Sequence, residues 1–406
     1  MVSIKHERRV IVPFILLLLL SGSIVVYEGW ITILLICAAS FIIMHCNIKV
    51  HNEQIKRACV LEIGCLLFFF VNYIYTSSFG FNHDSMNAYL RFYLFISLSI
   101  FICLIIESEK YDMEKILYMS LKFFIIHSLI GFVFTNLFDG ETLILVNKAN
   151  QTYPCERVFL LFFKKAMTEI GGIVVWRNQG LFWEPGILSI YANMFLCLVL
   201  FNKSNKNKSD ILLALACILS TVSTTGMGVA TIIIFAYVNR HKNMSMFNKI
   251  CLAMLIVVCL SASIYSLQMK VESSMTKKGL GSYGLRVMDF ILPLKLAQNN
   301  LLMGIGMGAT GYTNEIYKMH SYSVITQGYV YTRGSSNGIM TLLYQLGGPF
   351  LFFYLWGLFN QKIIFKNNRL FSIIIFICLL SEPLQEKPFF LLFPLSGFIG
   401  LKSREG

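Results

Sequence analysis

Residues 211–238 have the sequence ILLALACILSTVSTTGMGVATIIIFAYV, and this apolar stretch decides the topology of the chain. As one helix it would be about 42 Å long, at roughly 1.5 Å per residue, and would leave one of its two basic flanks outside the membrane. We therefore predict two short limbs that turn at Ser223-Thr224-Thr225-Gly226. Each limb is shorter than the hydrocarbon thickness of about 30 Å, so we expect a turn that is buried in protein or lines a water-filled cavity.

The rest of the chain is also strongly apolar. Its 406 residues are 56% hydrophobic and 14% charged, with a mean hydropathy of +0.67, which excludes an ordinary soluble domain. We predict an all-α polytopic membrane protein with about twelve transmembrane helices. The predicted spans are 10–27, 30–46, 58–76, 92–106, 116–138, 185–201, 211–222, 227–238, 250–267, 338–359, 370–380 and 389–401.

The net charge of +13 could indicate nucleic acid as a partner, but the basic residues collect in short loops between spans. Such loops face the cytoplasm, so topology explains most of the charge and both termini are predicted to be cytoplasmic. The start of the chain lacks a cleavage site after a short apolar run, so the first helix is expected to stay. The 11 cysteines lie mostly in apolar segments, which is not typical of a disulfide framework.

Two long loops, 139–183 and 268–337, are predicted on the non-cytoplasmic side. They are too polar to span a membrane and too long to be simple connections between packed helices, and loops of that size tend to carry function or to be disordered. The interpretation is a single transmembrane domain over residues 1–406 without a soluble appendage.

The first loop ends in Arg177-Asn178-Gln179-Gly180-Leu181-Phe182-Trp183-Glu184-Pro185-Gly186. A cation and a carboxylate thus lie at the mouth of a membrane helix, where charges usually face a cavity, a partner or a substrate. One interpretation is structural: Arg177 extends to lipid headgroups, and Glu184 sits at the positive N-terminus of a helix begun by Pro185. In the functional interpretation Arg177 binds a phosphate and Glu184 accepts a proton or a sugar hydroxyl.

The second loop contains further candidate residues. Arg286 and Asp289 would share one face of a helix, either as a local ion pair or as part of a site. Arg333 and Asn337 lie just before a span, where they again place a cation and a hydrogen-bonding group. His320 is a candidate base, although its surroundings equally suit a solvated histidine.

Neither a nucleotide site nor a metal site is predicted. Gly304-Ile305-Gly306-Met307-Gly308 lacks the Lys-Ser/Thr ending of a phosphate-binding loop and has no βαβ context, so we interpret it as a turn. Of the seven histidines only His83 and His320 fall in outer loops, so no histidine cluster supports a metal.

On these residues the chain resembles the O-antigen polymerases (Wzy) of Gram-negative bacteria, within the broader O-antigen polymerase and ligase group. The pattern R-x-x-G-x-F-x-E-P before a span is matched by Arg177, Gly180, Phe182, Glu184 and Pro185. It is followed in order by Thr224-Thr225-Gly226, by Arg286 with Gly304, Gly306 and Gly308, and by Asn337 with Gly347-Gly348. The resemblance covers about residues 177–349, and the first five spans match in topology alone.

The resemblance implies a GT-C-like glycosyltransferase of the bacterial inner membrane that joins undecaprenyl-diphosphate-linked repeat units at the periplasmic face. It makes Arg177 and Arg286 the diphosphate clamps but leaves the general base unassigned. Our hypothesis is that Glu184 orients or deprotonates the acceptor hydroxyl, with His320 and Asp289 as alternatives. No metal or cofactor is implied, and the partners are the lipid-linked donor and acceptor glycans, the bilayer and a chain-length regulator. The expected substrate-binding residues are Gly180, Ser223, Thr224, Thr225, Asp289, Arg333 and Asn337.

Three alternatives remain open. An O-antigen ligase shares the donor but uses lipid A core as acceptor, and related ligases have a histidine where this chain has Ser336-Asn337. A lipid-linked oligosaccharide flippase or another transporter would place charges along a path through its helices, where this chain has only Glu62 and Lys122 in or at the edge of spans. A non-catalytic scaffold would tolerate substitution of the arginines in the outer loops.

Overall fold

The computed structural model describes residues 2–24, 30–44, 51–80, 86–109, 111–146, 152–159, 162–164, 167–170, 173–201, 207–240, 282–308, 312, 335–364 and 368–400. The described part is mostly helical. Its helices are α1 (Val2–Leu20), α2 (Trp30–Met44), α3 (Asn52–Ser78), α4 (Asn87–Glu109), α5 (Met113–Leu137), α6 (Pro185–Phe201), α7 (Lys208–Ser220), α8 (Thr224–Arg240), α9 (Ser282–Asn299), α10 (Gly338–Phe359), α11 (Asn368–Ser381) and α12 (Pro388–Ile399). Its strands are β1 (Glu141–Val146), β2 (Thr152–Val158), β3 (Phe162–Lys164), β4 (Met167–Ile170) and β5 (Ile173–Trp176).

Every predicted span that falls on described residues overlaps a helix, whereas the predicted span 250–267 lies outside them. Among the described helices, α3, α4, α5 and α10 are long and apolar enough to cross a membrane, and five more are apolar but shorter. These helices indicate a membrane protein, as the composition predicts. The number of twelve spans, the inner membrane and the cytoplasmic termini stay predictions.

The first predicted loop contains strands, which the all-α prediction did not include. Strands β1, β2 and β3 form an antiparallel sheet in that order, and β4 and β5 form a separate antiparallel pair. The sheet is joined to the end of α5 by aromatic rings, since Phe162 of β3 stacks on Phe134 with ring centroids 5.6 Å apart. An aromatic residue of this loop therefore packs against the end of α5.

The chain divides into two compact units, each built from two separate stretches of sequence. Unit 1 comprises Met1–Leu34 and Glu114–Met269, and unit 2 comprises Leu35–Met113 and Lys270–Gly406. The prediction of one transmembrane domain stays a prediction.

In unit 1, α6 is the central helix, with 15 of its 17 residues buried. Helix α8 runs beside α6 in the same direction. Asn193 of α6 donates a 2.9 Å hydrogen bond to the Gly226 carbonyl at the start of α8, and Phe201 packs edge to face on Tyr237 near the end of α8. The two contacts follow the same order along both helices, which shows that α6 and α8 run parallel.

Helix α7 runs the opposite way. Near its start Asp210 accepts a hydrogen bond from Tyr118, which stacks on Phe195 in the second half of α6. At its end, Ser220 accepts hydrogen bonds from Asn178, which precedes α6. Since α7 and α8 run in opposite directions, this stretch forms two helices as predicted. The break lies at residues 221–223, slightly earlier than predicted, and Thr224, Thr225 and Gly226 belong to the first turn of α8.

In unit 2, α12 packs against α4 and α10, and α9 packs against α10. Helix α10 has a break at Gly347, whose φ of +83° suits glycine, and a Cβ there would lie 2.3 Å from the Leu302 carbonyl oxygen. The chain around Gly304 and Gly306 runs along this break, and Ile305 N–H donates to the Tyr344 carbonyl at 2.8 Å. The interpretation of the Gly-rich stretch as a turn is therefore confirmed.

Candidate functional site

The candidate residues form two groups, one in each unit. The first is the segment 177–184, here called the entry turn, which leads into α6. The entry turn is held against the end of α1: Trp183 N–H donates to the Gly22 carbonyl, and Ile24 N–H donates to the Leu181 carbonyl, both at 2.9 Å. Phe182 is fully buried and stacks on Tyr191 of α6. The turn is thus fixed by packing as well as by hydrogen bonds.

Arg177 binds the break between α7 and α8. Its Nε donates to the Thr221 carbonyl at 2.9 Å, and one terminal nitrogen donates to the Val222 carbonyl at 3.3 Å. The last carbonyls of a helix have no partner within the helix, and a cation there also complements the helix dipole. These bonds use two of the five N–H donors of the guanidinium and hold its plane in one orientation.

Asn178 and Gly180 shape the entry turn. The Asn178 side chain donates to Ser220 Oγ at 2.9 Å, and its Oδ1 accepts from Gly180 N–H at 3.1 Å. Gly180 has a φ of +56°, and an added Cβ would lie 2.9 Å from Ser128 Cβ. Gly180 is buried, so its observed role is to form the turn.

Sequence reasoning missed Asn178 and its neighbour Gln179. The Gln179 side chain is 1% exposed, and neither of its amide heteroatoms has a hydrogen-bond partner among the described residues. The one signal available was their position between two motif residues.

Glu184 is exposed at the start of α6. Its main-chain carbonyl accepts from Ile187 N–H at 3.1 Å, and α6 begins at Pro185 as predicted. Among the described residues its carboxylate has no ion-pair partner. A carboxylate at a helix N-terminus is favoured by the helix dipole, and an exposed one is also accessible to a substrate.

The break between α7 and α8 places the predicted Ser/Thr residues at the start of α8. Ser223 is buried, and its Oγ accepts from Gly226 N–H at 3.2 Å, which caps the helix. Thr224 and Thr225 are partly exposed beside it. A Cβ at Gly226 would lie 2.6 Å from Ser189 Cβ, so this glycine allows α8 to approach α6 closely.

The second group, here called the carboxylate cluster, lies in unit 2 around α9. Arg286 donates from one terminal nitrogen to the Ser381 carbonyl, and from the other to Glu382 Oε1 at 3.3 Å. One turn further along α9, Asp289 Oδ2 accepts a hydrogen bond from Ser336 Oγ. The two residues share a helix face as predicted, but Arg286 forms its ion pair with Glu382.

The segment at the start of α10 packs against the carboxylate cluster. Asn337 Oδ1 accepts from Met340 N–H at 3.0 Å, so Asn337 caps the helix, and Ser335 Oγ donates to the Asp289 carbonyl at 3.0 Å. A Cβ at Gly338 would lie 2.5 Å from Gln385 Oε1, which shows how closely this helix start packs against residues 382–387.

Residues 382–387 were not singled out from the sequence. Glu382 is 4% exposed and Gln385 is 1% exposed, and the Gln385 Oε1 atom has no partner among the described residues. Glu386 pairs with Arg91 of α4 at 3.8 Å. A signal was present, because two carboxylates between apolar segments are as costly as the charges in the entry turn.

The carboxylate cluster thus combines two guanidinium groups with the carboxylates of Asp289, Glu382 and Glu386. Such a set can bind sugar hydroxyl groups and can transfer protons. His320 and Arg333, both predicted site residues, lie outside the described residues.

Within the described ranges, no group of three or more His, Cys, Asp or Glu side chains is arranged to hold a metal ion. No protein-family model matches the chain, and comparison with curated proteins gave no match either.

Proposed function

We propose that this chain is a membrane glycosyltransferase of the O-antigen polymerase type. The supporting observation is that, within each unit, a candidate residue contacts a segment directly beside another motif. Arg177 contacts the break at Thr221, 44 residues away, and Asp289 contacts the segment before α10 at Ser336, 47 residues away. Motifs that occur in a fixed order along a chain are expected to meet in this way when they build polar sites.

In the proposed reaction a growing glycan leaves undecaprenyl diphosphate and joins the non-reducing sugar of a second lipid-linked repeat unit. The acceptor hydroxyl oxygen forms a bond to the anomeric carbon of the donor, and the bond from that carbon to the diphosphate oxygen breaks. The hydroxyl proton passes to a base, for which we propose the accessible carboxylate of Glu184. The products are the longer lipid-linked glycan and free undecaprenyl diphosphate.

The leaving diphosphate gains negative charge as its bond breaks, and donors held in place beforehand stabilise that charge. A guanidinium suits this role, since it stays charged and matches phosphate geometry. Arg177 and Arg286 are both anchored by neighbouring carbonyls, which orients their planes. Loss of one such donor typically raises the barrier by about 2.7–4 kcal/mol, or about 100- to 1000-fold in rate.

The test is replacement of Arg177 or Arg286 by Ala and by Lys, with Arg240→Ala as the control. Arg240 is an exposed arginine in the last turn of α8. We expect the Ala variants to leave surface polysaccharide with single repeat units, weak rescue by Lys, and normal chain lengths in the control. Near-normal ladders at wild-type protein levels in both Arg variants would exclude the proposed clamps.

The same variants can be assayed in a purified reaction with lipid-linked donor and acceptor. Since the proposed stabilisation comes from guanidinium groups, a chelator is expected to leave the rate unchanged. Activity that disappears with the chelator and returns with Mg²⁺ would contradict this part. Replacing the acceptor with lipid A core distinguishes a polymerase from a ligase.

A transporter of lipid-linked oligosaccharides is a second candidate, because unit 1 contains a charge pair whose carboxylate is buried. Lys122 Nζ of α5 lies 2.7 Å from Asp210 Oδ1 of α7, and Asp210 is fully buried. Charges within membrane helices often mark a transport path. Deletion of the gene separates the candidates: one repeat unit on core indicates a polymerase, and none indicates a ligase or a flippase.

A further inference from the structure

Unit 2 contains a groove that the proposed function does not use. The groove has a volume of about 680 Å³, within the roughly 300–1,000 Å³ typical of small-molecule sites. Its walls come from α3, α10 and α12, and it begins where Lys56 and Arg57 lie near the start of α3. We call it the α3 groove.

Most of the lining of the α3 groove is apolar. Phe68 stacks on Phe350 with centroids 5.2 Å apart, and Phe353 stacks on Phe398 at 4.2 Å. Gly64 leaves the middle of the groove open, because an added Cβ would meet no atom within 4 Å. A long hydrocarbon chain fits such a lining, whereas a sugar or a nucleotide would leave its polar groups unpaired.

The outer surface of α3 indicates what surrounds the groove. In the most apolar window of α3 only 28% of residues are buried, against 44–61% in the other three long apolar helices. Val60, Ile63 and Leu67 of this helix are each more than half exposed. In a membrane protein such a surface faces lipid tails, so the groove opens towards hydrocarbon.

The charges lie at one end of the groove. Lys56 has no ion-pair partner among the described residues, and Arg57 lies 3.6 Å from Glu53 in an exposed pair. Arg57 also lies beside the end of α12, where a Cβ on Gly400 would lie 2.5 Å from its terminal nitrogen. Two cations and one carboxylate give this end a net positive charge.

The length of the groove matches one leaflet of a bilayer. Lys56 and Phe68 are twelve positions apart on α3, which is about 18 Å at roughly 1.5 Å per residue. Half of a hydrocarbon core of about 30 Å is about 15 Å. A lipid whose phosphate lies at the basic end would therefore place its acyl chain along the phenylalanines that line the groove.

We propose that the α3 groove is a binding site for an anionic glycerophospholipid, with one acyl chain along the phenylalanines and the phosphate between Lys56 and Arg57. This inference does not depend on the proposed function. Basic residues at a membrane surface attract anionic lipids, and since Arg57 already has a partner we expect a preference of about tenfold over a zwitterionic lipid.

The test uses the full chain in a mild detergent, with native mass spectrometry to measure retention of phosphatidylglycerol and of phosphatidylcholine with the same acyl chains. We expect the wild type to retain one phosphatidylglycerol about tenfold more tightly. The double variant Lys56→Gln/Arg57→Gln should bind both lipids about equally. Equal retention by the wild type, or an unchanged preference in the double variant, would overturn the proposal.

A second variant tests the apolar part. Gly64→Leu would place a side chain in the groove from a position where an added Cβ meets no atom within 4 Å. Gly228→Leu is the matched control, since Gly228 is also a helical glycine with no atom within 4 Å of an added Cβ. We expect Gly64→Leu to weaken retention of both lipids about tenfold, and Gly228→Leu to leave it unchanged. Equal lipid retention by Gly64→Leu and Gly228→Leu would exclude a phospholipid site. Selective retention of a polyprenyl phosphate over phosphatidylglycerol would exclude it as well.

Discussion

The entry turn and the carboxylate cluster both contain an arginine beside a helix end, but the arginines have different partners. Arg177 donates to two main-chain carbonyls at the break between α7 and α8. Arg286 donates to one carbonyl and to the carboxylate of Glu382. A carbonyl cannot be removed by substitution, whereas a carboxylate can. The two arginines therefore differ in whether a second substitution can compensate for their loss.

The largest effect on stability is expected in the carboxylate cluster. Arg286→Met removes the guanidinium beside the buried Glu382 carboxylate. Because the Arg286 side chain is itself 41% exposed, we expect the low end of the cost of breaking a buried pair, about 3 kcal/mol. Adding Glu382→Gln removes the stranded charge, so the double variant should recover about 2 kcal/mol in a double-mutant cycle. Denaturant unfolding in detergent measures all four proteins. A double variant no more stable than Arg286→Met would show that the pair is not coupled.

A smaller effect is expected in the entry turn. Arg177→Met removes two charge-assisted hydrogen bonds and should lower the free energy of unfolding by about 2 kcal/mol. Lys at this position keeps the charge but lacks the planar fork, so we expect about half the loss. No substitution at Thr221 or Val222 should restore stability, because the acceptors are main-chain atoms. If a substitution at Thr221 or Val222 did restore stability, the loss of Arg177 could be compensated in the same way as the loss of Arg286.

Each region also has a helix cap, and removing a cap is expected to lower stability less than removing either arginine. Asn337→Ala and Ser223→Ala each remove a side-chain cap and should cost about 1 kcal/mol in unfolding experiments. Asn337→Ser should retain both stability and activity if capping is the main role of this residue. Normal stability combined with a large loss of activity in Asn337→Ser would instead indicate contact with substrate.

The smallest effect on stability is expected at Glu184. Its side chain is exposed at the N-terminus of α6, so Glu184→Gln should change the free energy of unfolding by less than about 1 kcal/mol. If Glu184 is the base, the turnover number should fall about 100-fold or more, with little change in the Michaelis constant. A loss that appears only in the Michaelis constant would indicate a binding role, and full activity would exclude both.

Local sequence predicted much of the helical framework. The break in residues 211–238 was predicted because a single membrane-spanning helix of this length would leave one of its two basic flanks outside the membrane. The start of α6 at Pro185 followed from the preference for proline at the first helical position, and the turn at Gly304 from glycine content. These features depend on residues close together in the chain.

The strands of the first loop were missed for a different reason. Strand β1 has the sequence ETLILV, which lacks a clean alternation of apolar and polar residues. Its pattern therefore does not predict a strand. Its stability comes from pairing with β2, and its sheet packs on rings at the end of α5. Such contacts depend on where neighbouring elements lie.

By itself the sequence determined which stretches form most of the described helices, and which short segments carry charge next to apolar stretches. Only the tertiary structure decided the partners of those charges: Arg286 meets Glu382, 96 residues away, and Lys122 meets Asp210 on another helix. The physical reason is that hydropathy and turn chemistry act between residues near in the chain, while the partner of a buried charge depends on which helices pack together.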